Sequence, residues 1–219
     1  MNHLDHLVIA AETLEQGVDY VGTTLGVEIP KGGLHKTMGT HNHLMQLGNN
    51  AYLEVIAIDP DGRTPHQPRW FNLDDALMRE SLQRQPRLIT WVMNTADIHR
   101  LHRESAFSTG TPTELSRDNL RWQIALTADG RLLANGILPY IIQWHSKPHP
   151  SQVMADLGCR LQSLEIYHNR ADWLRSMLES IGADHLVSLH ALPENESAYL
   201  SASIVTPSGM KVLTSRLLQ

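Results

Sequence analysis

One succession of elements, a strand, a helix and then further strands, can be read three times along these 219 residues. A repeat of that kind restricts the chain to a small set of modular folds. The first copy opens with a predicted strand at Leu4–Ala10, LDHLVIA. A helix is predicted over Leu14–Leu25, with Thr13 as its N-cap and Gly26 as its stop. The glycine-rich stretch PKGGLHKTMGTH reads as a loop, and strands follow at Asn42–Leu47 and Ala51–Ile58 around the turn Gly48-Asn49-Asn50. After DPDGRTPHQP and a short helical segment at Leu73–Gln83, the second copy runs from a strand at Arg87–Thr95 and a helix at Ala96–Ser105 to strands near Thr113–Arg117, Leu120–Thr127 and Leu138–His145. A linker, SKPHPSQ, leads to the third: strand Arg160–His168, helix Ala171–Ile181, then strands at Leu186–Ala191, Ala198–Thr206 and Met210–Ser215. The copies share order and spacing rather than identity, so a single irregular α+β domain is the competing reading.

Two polar residues stand out inside the apolar strands of the first copy. His6 interrupts LDHLVIA and Glu54 interrupts AYLEVIAI. Residues flanked by Leu, Val and Ile in a strand are at least half buried, and burying an imidazole or a carboxylate without a partner is costly. If the two strands are neighbours, each group is the other's partner, or both hold a metal ion.

Composition excludes several classes. The net charge is −5 and no basic run occurs, which argues against nucleic acid as a partner. Cys159 is the only cysteine, so neither an internal disulfide nor a cysteine metal cluster can form. No stretch approaches the roughly 20 apolar residues of a membrane span, and MNHLDHLVIA lacks a signal-peptide pattern. The expectation is a soluble, cytoplasmic protein.

The blocks LDHLVIAAETLEQGVDYVGTTLG, GTHNHLMQLGNNAYLEVIAIDP and LPYIIQWHSKPHP resemble the vicinal oxygen chelate superfamily and, more narrowly, its bacterial glyoxalase-like domain proteins. The resemblance implies an α+β fold in which repeated βαβββ modules form a curved mixed sheet. It implies one glyoxalase-like domain at 1–150, built of paired modules at 1–60 and 86–146, with a third βαβββ-like module at 151–219. It further implies metal ligands on the first and last strands of each module. Carried onto this sequence, those are His6 and Glu54 from the first and Gln143 from the second, where Thr90 or a neighbour replaces the remaining ligand. The third copy offers only Ser163 and Leu213. A His, a Glu and an amide oxygen suit Zn, Mn, Ni or Fe, and Glu54 can act as a base if metal is absent. The alternative is a buried His6–Glu54 hydrogen-bonded pair without metal.

Other residues compete for places in a pocket. His41 and His43 share a strand face by period two. The reading puts His43 in the pocket, leaves His41 outside and assigns Asn42 to the opposite face. Trp91, Trp122 and Trp144 can form an apolar wall or simply fill the core. His145 shares a face with Gln143 and is preferred over His149, which sits between prolines. His99 and His102 are expected to face solvent, Glu165 to lie on an outer face, and Cys159 to be a small buried residue.

Three functions fit. One is a metal-assisted lyase, isomerase or dioxygenase acting on a small oxygenated substrate. Another is a metal-free protein of the same fold that binds or sequesters a small ligand. The last is an assembly protein built around the third module. That module needs a partner for one sheet face, and packing within the chain together with a homodimer is the expected arrangement.

Overall fold

The computed structural model describes residues 2–216. The first unit is β1 (His3–Ala10), α1 (Leu14–Leu25), β2 (Lys31–His35), β3 (Thr40–Gly48) and β4 (Ala51–Ile58). Thr13 caps α1 by accepting from the Gln16 N–H, and Gly26 ends it in the left-handed conformation at φ 73°, as the sequence pattern predicts. β2 occupies part of the stretch read as a loop. Its two glycines and exposed side chains hid a strand that is held only along one edge.

α2 (Ala76–Arg84) connects to the second unit: β5 (Arg87–Asn94), α3 (Ile98–Glu104), β6 (Thr111–Arg117), β7 (Leu120–Leu126) and β8 (Tyr140–Trp144). The two units form one curved eight-stranded sheet in the order β2-β3-β4-β1-β5-β8-β7-β6. β1 and β5 pair antiparallel at its centre, and each unit's first strand runs parallel to its last. The order is the same on both sides of the centre, which is the signature of two copies of one module.

The third unit is β9 (Arg160–His168), α4 (Ala171–Ser180), β10 (Ser188–Ala191), β11 (Tyr199–Thr206) and β12 (Gly209–Thr214). Element order repeats here, but strand order does not: its separate sheet runs β10-β9-β11-β12. After α4 the chain returns beside β9 as a short parallel strand. β9 and β12 are therefore not neighbours, and Ser163 and Leu213 do not meet as the ligand-equivalent positions of the first module do.

The large sheet is buried on both faces. On one side, Leu7 and Ile9 of β1, Val55 of β4, and Trp91 and Met93 of β5 pack with Val21 and Leu25 of α1, and with Leu164, Ile166, Leu200 and Leu213 of the third unit. Each such fully buried side chain contributes about 1.5–3 kcal/mol of transfer free energy. α1 approaches so closely that a Cβ at Gly17 would lie 2.4 Å from the Val55 Cγ1. The third unit thus covers the back of the sheet from within the same chain. The opposite, concave face carries Val8, Ala10, Ile56, Val92, Trp122 and Ile142, and part of it is filled by Trp70, Phe71, Met78 and Leu82 from the segment around α2. No described helix is long and apolar enough to cross a membrane.

Candidate active site

A cleft remains in the concave face. Its free volume is about 40 Å³. His6 of β1 and Glu54 of β4 lie in its lining. The two strands are adjacent and parallel, with His6 opposite Tyr52 and Val8 opposite Glu54. Period-two alternation then turns both polar side chains to the same face. His6 Nε2 stands 3.6 Å from Glu54 Oε2.

The far atom of each group is anchored. His6 Nδ1 is 2.6 Å from Asp5 Oδ1, which makes Nδ1 the protonated nitrogen and leaves Nε2 facing Glu54. Consecutive strand residues normally point to opposite faces. Here the pairing of β1 with β5 shifts between Leu4 and His6, and such a bulge lets Asp5 and His6 meet. Asp5 is fully buried, and its other oxygen accepts from Asn94 Nδ2 at 2.8 Å, Trp144 Nε1 at 2.9 Å and His149 Nε2 at 3.0 Å. Burial alone pushes this carboxyl up. The hydrogen bonds from His149 and His6 outweigh it and hold Asp5 well below the usual carboxylate range. On the other side, Asn42 Nδ2 donates to Glu54 Oε1 at 2.6 Å, while Asn42 Oδ1 accepts from the Gly33 N–H at 2.8 Å. His6 also stacks on Tyr52, ring centroids 4.4 Å apart. Burial, with the Asp5 and Glu54 carboxylates nearby, keeps that phenol protonated well above its ordinary range.

The walls are Trp70, Phe71, Trp122, Trp144, Ile124 and Ile142. His35 and Arg117 also line the cleft. Burial lowers the His35 imidazole to about 4, so it is neutral at pH 7.

Trp122 therefore lies where the sequence put it, and so does Trp144. Five expectations need correction. Trp91 points to the opposite side of β5, fully buried, and its indole N–H donates to the Ile137 carbonyl at 2.9 Å. Gln143 also faces the back of the sheet, where its Oε1 accepts from the Ile98 N–H at the start of α3. The phase of β3 is the reverse of the expected one. Asn42 faces the cleft, whereas His43 turns away and its Nδ1 pairs with the Ile29 carbonyl at 2.7 Å. His145 lies outside the cleft lining, 3.9 Å from Glu114, while His149 reaches the buried Asp5. Thr90 is buried and donates to the Gly136 carbonyl. His99 and His102 are exposed and Cys159 is buried, as expected. Sequence reasoning missed Asp5, Asn42, His35 and Arg117. Only Asp5 carried a local signal, as a second charged residue in an apolar strand.

The donor set can be tested against a divalent metal. His6 Nε2 and Glu54 Oε2 are spaced as two ligands of one ion would be after a small closure, and a histidine whose other nitrogen is held by a carboxylate is the usual metal-binding arrangement. The second unit lines the cleft with Arg117, Trp122, Ile124, Ile142 and Trp144, none of which is a metal ligand. A second cluster, His3, Asp5 and His149, brings one ligand atom from each within 4.8 Å of the others. A cation there would have to displace hydrogen bonds that already converge on Asp5 Oδ2.

Residues 4–182 match the model of the glyoxalase-like domain family, a match that runs through both modules and into the third unit. No curated protein matches the chain. Among solved structures, a hypothetical protein from Staphylococcus aureus superposes with a TM-score of 0.59 at 14% identity, covering 98% of this chain and 85% of that one. Methylmalonyl-CoA epimerase from Mycobacterium tuberculosis is similar at a TM-score of 0.40 and 17% identity, over 67% of this chain and 89% of that one. At these identities the likeness is one of fold. The mirrored strand order, the pairing of each module's first and last strands and the family match over most of the chain agree: this is an α+β protein of the vicinal oxygen chelate fold, and it belongs to the glyoxalase-like domain family.

Proposed function

We propose that the chain is a metal-assisted lyase or isomerase acting on a small oxygenated substrate, with His6 and Glu54 as its metal-binding pair and Glu54 as the proton-transfer group. The observation that carries this reading is the 3.6 Å approach of His6 Nε2 to Glu54 Oε2 at the floor of an aromatic-walled cleft, each group anchored from behind. When bound there, a divalent ion such as Zn, Mn, Ni or Fe supplies Lewis-acid stabilisation of negative charge on a substrate oxygen. Asp5 fixes the tautomer and ring plane of His6. Asn42 leaves Glu54 one occupied and one available oxygen. When it does not hold the ion, that oxygen is suited to taking a proton from a carbon next to a carbonyl and returning it. The tryptophan and phenylalanine walls exclude water and hold the apolar part of the substrate.

Elemental analysis of untagged protein tests this. One tightly held divalent metal per chain, lost in His6→Ala, is the expected result. Equal metal content in wild type and variant refutes it.

A second reading has support of its own. Arg117 already supplies positive charge in the cleft, and the other side chains that the second module places there, Trp122, Ile124, Ile142 and Trp144, are not metal ligands. A metal-free binder of a small ligand would look like this, and it is the outcome if metal is absent while ligands still bind.

A further inference from the structure

Arg117 is the last residue of β6, at the far edge of the sheet, followed by the two-residue turn Asp118–Asn119 into β7. Its side chain crosses the concave face to β2 and β3 at the other edge. Nη1 lies 3.4 Å from both His35 Nε2 and Asn42 Oδ1. His35 is arranged to accept. Its Nδ1 is 3.1 Å from Thr40 Oγ1, and as a neutral ring it presents the unprotonated Nε2 to the guanidinium. The crossing passes close to Gly33. A Cβ at Gly33 would lie 3.1 Å from Arg117 Cδ and 3.3 Å from Cζ.

Among the described residues, this guanidinium has only those two long contacts, both through Nη1, and no carboxylate within ion-pair distance. The residue is half-buried and lines the cleft. An arginine held in place by neutral groups, with its fork unfilled, is a site for a planar anion. Trp70, in the same lining, has a buried indole N–H with no acceptor, which a ligand oxygen can satisfy.

We infer that the ligand of this cleft is a carboxylate, a 2-oxo or 2-hydroxy acid with an apolar remainder, and that Arg117 binds the carboxylate group. This rests on the cleft being the ligand site proposed above, but not on a metal being there. The carboxylate forms paired hydrogen bonds to the guanidinium, the adjacent oxygen lies toward His6 and Glu54, and the apolar remainder lies against Trp122 and Trp144.

The test is calorimetric binding of pyruvate, phenylpyruvate and the methyl ester of each to the purified full-length protein. Wild type is expected to bind acids roughly tenfold or more tighter than their esters, in line with a charge-assisted hydrogen-bonded pair. Arg117→Met should abolish that ratio by weakening the acids far more than the esters, and Arg117→Lys should restore part of it. Gly33→Val crowds the guanidinium from the opposite side and should also lower the ratio, so the inference stays testable if Arg117→Met does not fold. Acids and esters binding wild type equally, or none of the acids binding, would overturn it. So would an acid preference that survives both Arg117→Met and Gly33→Val, because Arg117 would then be only a latch between β6 and β2. His6→Ala separates this inference from the metal reading. Acid preference kept in His6→Ala and lost in Arg117→Met supports the present assignment whatever the metal content. The reverse pattern places the carboxylate at the His6 end and refutes it.

Discussion

Asp5 and His6 are neighbours in a strand, yet their side chains meet at 2.6 Å. The bulge that allows this converts a buried carboxylate into the anchor of the site. Four donors from four parts of the chain, His6, Asn94, Trp144 and His149, converge on Asp5. Asp5→Ala would leave all of them without an acceptor. The expected cost is about 3–5 kcal/mol, as for other broken buried ionic clusters, read from the urea midpoint. Asp5→Asn keeps the shape and should instead weaken metal retention by His6 about 10–100-fold, read by competition with a chelator.

The tryptophans on the two faces of the sheet should separate by function. Trp91→Ala empties the core behind β5 and should cost about 3–5 kcal/mol with little effect on the cleft. Trp122→Phe keeps an aromatic ring in the cleft wall and should change ligand affinity more than stability. Chemical unfolding and ligand titration of both variants check this. A Trp91 variant that is stable but fails to bind would refute the assignment of faces.

Stability should fall in acid. His35 is held near 4 in the folded protein, mainly by burial, against about 6.5 when unfolded. Between those values the unfolded chain binds the additional proton. Stability is therefore complete above about pH 6.5 and is lost as pH falls towards about 4. Asp5, whose folded value is depressed, adds a loss of the same sign at still lower pH. Urea midpoints measured from pH 7 to pH 4 should show a shallower decline in His35→Phe. An unchanged slope would mean that His35 is not the group responsible.

Removing residues 151–219 should give insoluble or unfolded protein. The third unit covers Leu7, Ile9, Trp91 and Met93 on the back of the large sheet, and truncation would expose that apolar face. It would also remove Ser151, whose Oγ is 2.8 Å from His149 Nδ1. A truncated chain that stays folded, monomeric and able to bind ligand would show the third unit to be an appended domain.

Local sequence was sufficient where one face of an element is polar or a cap is explicit. Thr13 and Gly26 bound α1, and α3 buries Ile98 and Leu101 while exposing His99 and His102. Sequence also brought His6 and Glu54 together, because a module with parallel first and last strands makes them neighbours wherever it folds. Sequence could not determine the phase of strands buried on both sides. Alternation in β3 and β5 specifies which residues share a face, but not which face is concave, since both are covered. Asn42 and His43 therefore exchanged places, and Trp91 went to the back of the sheet. The bulge at Asp5, the passage of His149 into the core and the reach of Arg117 across the sheet depend on residues 75 to 144 positions apart in the chain. Only tertiary structure decided them, because the energy of a buried charge depends on which partners the finished fold brings to it.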